Sequence, residues 1–221
     1  MGIFSFFNKN GAKDNKYSKY AVGDTFVFGK YHFKSEKDIQ PIEWIVLENN
    51  CKELLLISKY CLDTVKYCEP SASFVGTDCC IWENSYLRNW LNGSFYNQAF
   101  SESEKNSIIE TAIITEETLH AELHKNKVFI LSKSQIEDFF ADNEKRKGFP
   151  TPYALQKGAN TGHTDEKTTW WWTLPYIDIT GGQPPRADYP SVVCQNGEIN
   201  YHSRLVYHSD FTVRPVIRIK K

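Results

Sequence analysis

The apolar positions of this chain change period along its length, from alternation, to helical spacing, to short strand-like runs separated by polar loops. Residues 25–31 (TFVFGKY) and 42–47 (IEWIVL) carry the aromatic and branched side chains of strands. Asn49-Asn50 ahead of residues 54–58 predicts a hairpin into a third. An antiparallel meander follows from this order. Residues 60–67 continue with less pattern, and residues 70–78 are loop by composition.

The densest pattern is residues 82–101, WENSYLRNWLNGSFYNQAFS. At helical spacing Trp82, Leu87, Trp90 and Leu91 share one face, and Glu83, Asn84, Arg88 and Asn89 the other. Asn92-Gly93 predicts a helix stop and a corner, with Phe95 and Phe100 flanking the polar run beyond it. Ser101 with Glu104 is a capping-box pair for a second helix over residues 102–110. An extended run at 111–115, a helix at 116–125 and a strand at 127–131 come next. Ser132 or Ser134 then caps a helix at 135–143 whose apolar stripe is Ile136, Phe139 and Phe140. A short helix is expected at 153–157.

The last third predicts strands at 170–174, 191–195 and 198–202, with Asn196-Gly197 as a two-residue hairpin turn. The closing strand, 211–219, alternates Val213, Pro215, Ile217 and Ile219 with Arg214, Val216 and Arg218, which argues one buried face. Pro215 adds an edge position or a bulge. On a strand Trp171 points opposite to Trp170 and Trp172, so one side of this Trp run is core and the other is open to a sugar-stacking role.

Two resemblances attach to these motifs. The pattern Trp82, Ser85, Leu87-Arg88, Trp90-Leu91-Asn92, Phe95, Ala99-Phe100-Ser101 and Glu104 resembles a bacterial family of unknown function, DUF6273. The likeness extends to Val22-Gly23-Asp24, the Trp170-Trp171-Trp172 run and Val213-Arg214-Pro215, and so covers roughly residues 22 to 219. The family's Leu-Arg-Ser-Pro-Gly after the Trp run is replaced here by Thr173-Leu174-Pro175-Tyr176. The order of elements is also similar to C-type-lectin-like domains, including relatives of the formylglycine-generating enzyme. That likeness implies an α+β fold with antiparallel strands, a few short helices and a loop-rich C-terminal half, whose ligand face is built from the C-terminal loops.

In those loops Tyr176, Asp178, Arg186, Asp188, Tyr189, Asn196, Asn200, Tyr201, His202, Tyr207 and His208, with Gln195, supply ring area and directed hydrogen bonds. They are the candidate ligand-binding residues. No catalytic residue is assigned: Ser203, His208 and Asp210 are close in sequence without the arrangement of a triad, and no nucleophile elbow, Walker loop or dinucleotide fingerprint occurs. His120 and His124 lack a third metal ligand, so no metal ligand and no cofactor is assigned, while Asp178, Asp188 and Glu198 offer oxygens to calcium without forming a dense calcium loop. An oxidase of the formylglycine-generating type would need reactive Cys, and Cys194 stands alone in the last third.

Composition narrows the function classes. The 221 residues carry a formal net charge of −1, which gives no electrostatic footprint for nucleic acid. The six Cys lack a C-x-x-C frame, which suggests reduced thiols and a cytoplasmic protein, with surface delivery by another route as the alternative. No apolar stretch is long enough to span a bilayer. A flexible tail at residues 1–20, apolar from Met1 to Phe7 and then rich in lysine (Lys9, Lys13, Lys16, Lys19), precedes a single domain at 21–221. This tail is a possible peripheral membrane or partner contact. The resulting expectation is a non-enzymatic recognition module for a protein or glycan ligand. Its alternatives are an enzyme on the same scaffold, or an effector docking partners through its tail or its acidic segment at 101–125.

Overall fold

The computed structural model describes residues 17, 19–69, 81–113, 125–162, 166–175, 190–200 and 206–221. Strands β1 (Thr25–His32), β2 (Ile39–Asn49) and β3 (Glu53–Ser58) form the expected antiparallel meander. The closing strand β12 (Val216–Lys220) returns antiparallel to β3, and β7 (Val128–Phe129) pairs on its other side, giving the order β1-β2-β3-β12-β7. Leu54 to Ile57 are all buried, because β3 lies inside the sheet with both faces covered.

A second sheet is made of much shorter strands: β4 (Asp63–Thr64), β8 (Trp171–Trp172), β9 (Val192–Val193), β10 (Ile199–Asn200) and β11 (Thr212–Val213). Its order is β10-β9-β8-β11-β4, with β8 and β11 parallel and the other pairs antiparallel. Strands β5 (Thr111–Ala112) and β6 (Lys125–Asn126) form a small separate ladder. Mixed, largely antiparallel sheets with short helices make the fold α+β.

Two stretches run side by side through both large sheets. Val65 N–H donates to Phe211 O at 3.2 Å, Leu62 N–H to Val213 O at 2.9 Å and Ser58 N–H to Pro215 O at 2.9 Å, so β3 to β4 is laced to β11 to β12. Pro215 therefore sits at the crossing between sheets, which corrects the expected edge or bulge. Arg214 and Val216 are buried as well as Val213, Ile217 and Ile219, so the single buried face fails here: a strand inside the sheet is covered twice. Arg214 lies in the seam, its guanidinium 5.1 Å from the Trp171 ring and 5.6 Å from Phe140, with Nε donating to Ser58 O.

The aromatic segment is helical throughout. A 3₁₀ turn (Trp82–Asn84) leads into α1 (Tyr86–Trp90), capped by Ser85, then a π-helical turn (Leu91–Phe95) and α2 (Tyr96–Ala99). The Asn92-Gly93 stop is thus not used. Asn92 instead turns its amide onto the neighbouring strand, and the widened π turn carries the helix past it. Trp82, Leu87, Leu91 and Phe95 are fully buried as the helical spacing predicts, while Trp90 is half-buried. β1 approaches this hub at Gly29, whose φ is +70° and whose absent side chain makes room for Phe100.

α3 (Glu102–Lys105) opens with the predicted Ser101/Glu104 capping box but is shorter than expected. Ser132, with Gln135, caps α4 (Lys133–Phe139), α5 (Asn143–Arg146) follows, and Thr151 caps α6 (Pro152–Gln156). The Asn196-Gly197 turn is a three-residue loop rather than two. Cys194 N–H donates to Glu198 O, Gly197 N–H to Cys194 O, and Gly197 takes the left-handed conformation at φ +82°. Cys68 is disulfide-bonded, which corrects the expectation of reduced thiols throughout, while Cys51, Cys61 and Cys194 are free. Most of the tail, the loop at 70–78 and residues 116–124 of the helix expected at 116–125, with His120 and His124, lie outside the described residues, and Lys125 is in strand β6 rather than that helix.

Candidate recognition surface

The Trp run divides unequally. Trp171 and Trp172 are both fully buried, their indole N–H groups donating to Arg146 O at 3.0 Å and Val65 O at 2.8 Å. Successive side chains of β8 point to opposite faces and both are fully buried, so both of its faces are core. Trp170, just before it, is half-buried and stacks on Phe211 with ring centroids 5.4 Å apart and planes 13° apart.

Beside this pair lies a polar cluster. The His208 ring is 5.8 Å from Phe211, and its Nδ1 is 3.2 Å from the Asp210 carboxylate. Asn160, in the turn after α6, donates its side-chain amide to Asp210 Oδ2 at 3.1 Å and its backbone N–H to Asp210 O at 3.0 Å. The Asn160 carbonyl accepts Thr169 Oγ1 at 2.9 Å and Gln195 Nε2 at 3.2 Å. Gln195 O in turn accepts Thr168 Oγ1 at 2.9 Å. Asn160 thereby fastens the 206–211 loop, the approach to β8 and the β9–β10 hairpin into one surface, from which Tyr207 projects with 48% of its area exposed.

Of the candidate ligand residues, the structure brings Gln195 and His208 together through Asn160 and Asp210. Asn196 is exposed but folds back on its own turn, accepting Glu198 N–H, and Asn200 bonds the Cys194 thiol. Burial and the nearby Glu198 carboxylate push that thiol up to about 11, against the lowering effect of the Asn200 bond. Tyr176, Asp178, Arg186, Asp188, Tyr189, Tyr201 and His202 lie outside the described residues. Among the described residues no group of three or more His, Cys, Asp or Glu is placed to hold a metal ion, and no helix is long and apolar enough to cross a membrane.

Sequence reasoning missed Asn160, whose contacts at separations of 35 and 50 residues leave no local signal. It also missed a buried polar network at the other end of β1. Tyr31 Oη donates to Asp63 Oδ2 at 2.7 Å, and Lys157 Nζ lies 2.7 Å from Asp63 Oδ1. Burial, with Asp63 next to it, holds the Tyr31 phenol far above its ordinary range. His32 packs against Tyr153 at 4.6 Å and its Nε2 meets Gln98 at 2.7 Å. In the sequence Tyr31 was only a strand residue, Asp63 lay in the weakly patterned stretch 60–67, and Tyr153 and Lys157 belonged to a short helix.

No curated protein and no solved structure matches this chain. The resemblance noted for residues 22–47 lies ahead of the matched region. The family profile described as a domain of unknown function, DUF6273, matches residues 52–221, and the chain belongs to that family.

Proposed function

We propose that this chain is a recognition module without catalytic chemistry, binding a glycan or protein ligand through its C-terminal loops on a C-type-lectin-like arrangement. The observation that carries the reading is the half-buried Trp170 stacked on Phe211, with His208, Tyr207 and the Asp210–Asn160 pair beside it. Flat rings accept the apolar faces of sugars, and carboxylate and amide groups in fixed positions accept and donate to hydroxyls. The hydrogen bonds through Asn160 hold these groups in place before any ligand arrives, which reduces the ordering cost of binding.

The competing enzyme reading asks for a thiolate. With its thiol pushed up to about 11, Cys194 is protonated at neutral pH, which favours binding over thiol chemistry. The disulfide at Cys68 favours surface delivery over a cytoplasmic location.

The test is a glycan array and a lysate capture with the intact chain and a Tyr207→Ala/His208→Ala variant, both checked by thermal melting. The reading expects specific retention by the intact chain and its loss in a variant that melts at the same temperature. Equal capture by both proteins, or no specific ligand for either, overturns it.

A further inference from the structure

A cavity of about 320 Å³ lies over β1 and β2, lined by Tyr31, His32, Phe33, Gln40, Glu43 and Tyr60 among others. That volume is at the lower end of the roughly 300–1,000 Å³ usual for small-molecule sites. Three of its walls are aromatic. The Phe33 and Tyr60 rings meet edge to face, 5.9 Å apart and at 72°, and the Tyr31 ring is locked by its hydrogen bond to Asp63. Because Asp63 is itself paired with Lys157, this side of the cavity brings no net charge. The one carboxylate in the lining is Glu43, whose side chain is 39% exposed.

The fold already places an ammonium group against this wall. Lys59 Nζ is 3.1 Å from Glu43 Oε2 and 5.5 Å from the centroid of the Tyr60 ring. One carboxylate and one ring face therefore hold a cation by charge attraction and by the negative face of the aromatic ring. Glu43 is held by Lys59 through Oε2, so a cation entering the cavity competes with that ammonium for the carboxylate. Aromatic walls and a single carboxylate, with His32 but no lysine or arginine in the lining, favour a small organic cation that takes the place of Lys59 at Glu43.

We infer that the β1–β2 cavity is a ligand site, separate from the C-terminal surface, for a small alkylammonium ion of the choline type. Phe33 and Tyr60 supply ring faces to the cationic head, Tyr31 forms a rigid neutral wall, and Glu43 supplies the counter-charge. Lys59 acts as a resident competitor for that carboxylate.

The experiment titrates the intact chain with choline and, separately, with 3,3-dimethylbutan-1-ol, which has the same shape without the charge, by calorimetry and by aromatic NMR shifts. Choline is expected to bind saturably and the alcohol about tenfold more weakly, the ratio that a desolvated cation–π contact of ordinary strength gives. Glu43→Gln and Tyr60→Leu should each weaken choline about three- to tenfold, Tyr60→Phe should preserve it, and Lys59→Gln should strengthen it. Both Glu43 and Lys59 are partly exposed, so their substitution leaves the fold intact, as a melting curve will verify. Absence of saturable choline binding, equal binding of the neutral alcohol, or a Lys59→Gln variant that binds choline more weakly would each overturn the assignment. The Tyr207→Ala/His208→Ala variant should bind choline unchanged, which keeps this test independent of the C-terminal surface.

Discussion

The Asn92 side-chain amide is bonded to the backbone of Val128 at both of its ends, Nδ2 donating to Val128 O at 2.9 Å and Oδ1 accepting Val128 N–H at 3.1 Å. The same amide also donates to Arg88 O at 3.0 Å and accepts Lys127 N–H at 2.8 Å. It adds a second donor to a helix carbonyl that already accepts Leu91 N–H, and continues the hydrogen bonding of β7 in place of another strand. Each of the four bonds contributes about 0.5–1.5 kcal/mol net, so Asn92→Ala should cost about 2–6 kcal/mol. Urea denaturation measures it. Asn92→Asp retains the two acceptor bonds but turns an oxygen toward two carbonyls, and wild-type stability in that variant would show that the amide does not tie helix to strand.

Glu104 gives the fold an acid-sensitive contact. Burial opposes its ionisation, but hydrogen bonds from the Ser101 hydroxyl, the Ser101 backbone and Gly29 N–H outweigh burial and hold the carboxyl below its usual range. A lowered folded-state pKa contributes stability that is present above the unfolded value of about 4.3 and is lost as pH falls through the folded one. Glu104→Gln should therefore be less stable than wild type at pH 7 by about 1 kcal/mol, with the difference narrowing near pH 3. Parallel urea curves at the two pH values check the sign.

Two Gly→Ala substitutions should act in opposite directions. At Gly29 a Cβ would meet the Phe100 ring at 2.7 Å and Ala99 O at 2.8 Å on a backbone with φ +70°, so Gly29→Ala should cost about 1–3 kcal/mol. At Gly93, inside the π turn, nothing lies within 4 Å and φ is not positive, so Gly93→Ala should stabilise by about 0.5–1 kcal/mol. Thermal melting compares them directly. A stabilising Gly29→Ala would contradict the close approach of β1 to the hub.

Neighbouring tryptophans should separate ligand from fold. Trp171→Ala removes a fully buried ring and leaves Arg146 O without its donor, a loss of about 3–5 kcal/mol. Trp170→Ala should cost clearly less in denaturation but abolish retention on whichever glycan the intact chain selects. Equal destabilisation by the two would place Trp170 in the core.

How much of this was legible beforehand depended on the range of the interactions. The meander, the Ser101 and Ser132 helix starts, and the buried face of the hub are written in residues two to five apart, and the sequence carries them. Asn92-Gly93 misleads because its local preference is for a stop, while the contact that decides its conformation is with Val128, 36 residues away. Pro215 misleads similarly: locally it marks an edge, and only the pairing with Ser58 reveals a crossing between sheets. The Trp170–Phe211 stack and the Tyr31–Asp63–Lys157 network join distant segments, so no periodicity announces them.

The position of β12 bears on how the protein is made. The last strand in chain order is the inner neighbour of β3, which is itself made about a quarter of the way along the chain. During synthesis β3 leaves the ribosome with its hydrogen-bonding edge open and must wait for residues 216–220 before the sheet can close. Over that interval Leu54, Leu55, Leu56 and Ile57 form an unshielded apolar strand, the kind of segment that chaperones hold and that drives aggregation when they do not. A premature stop even a few codons before residue 216 would leave that edge open permanently, so the cell would meet a truncated product as an aggregation hazard rather than as a slightly shorter protein.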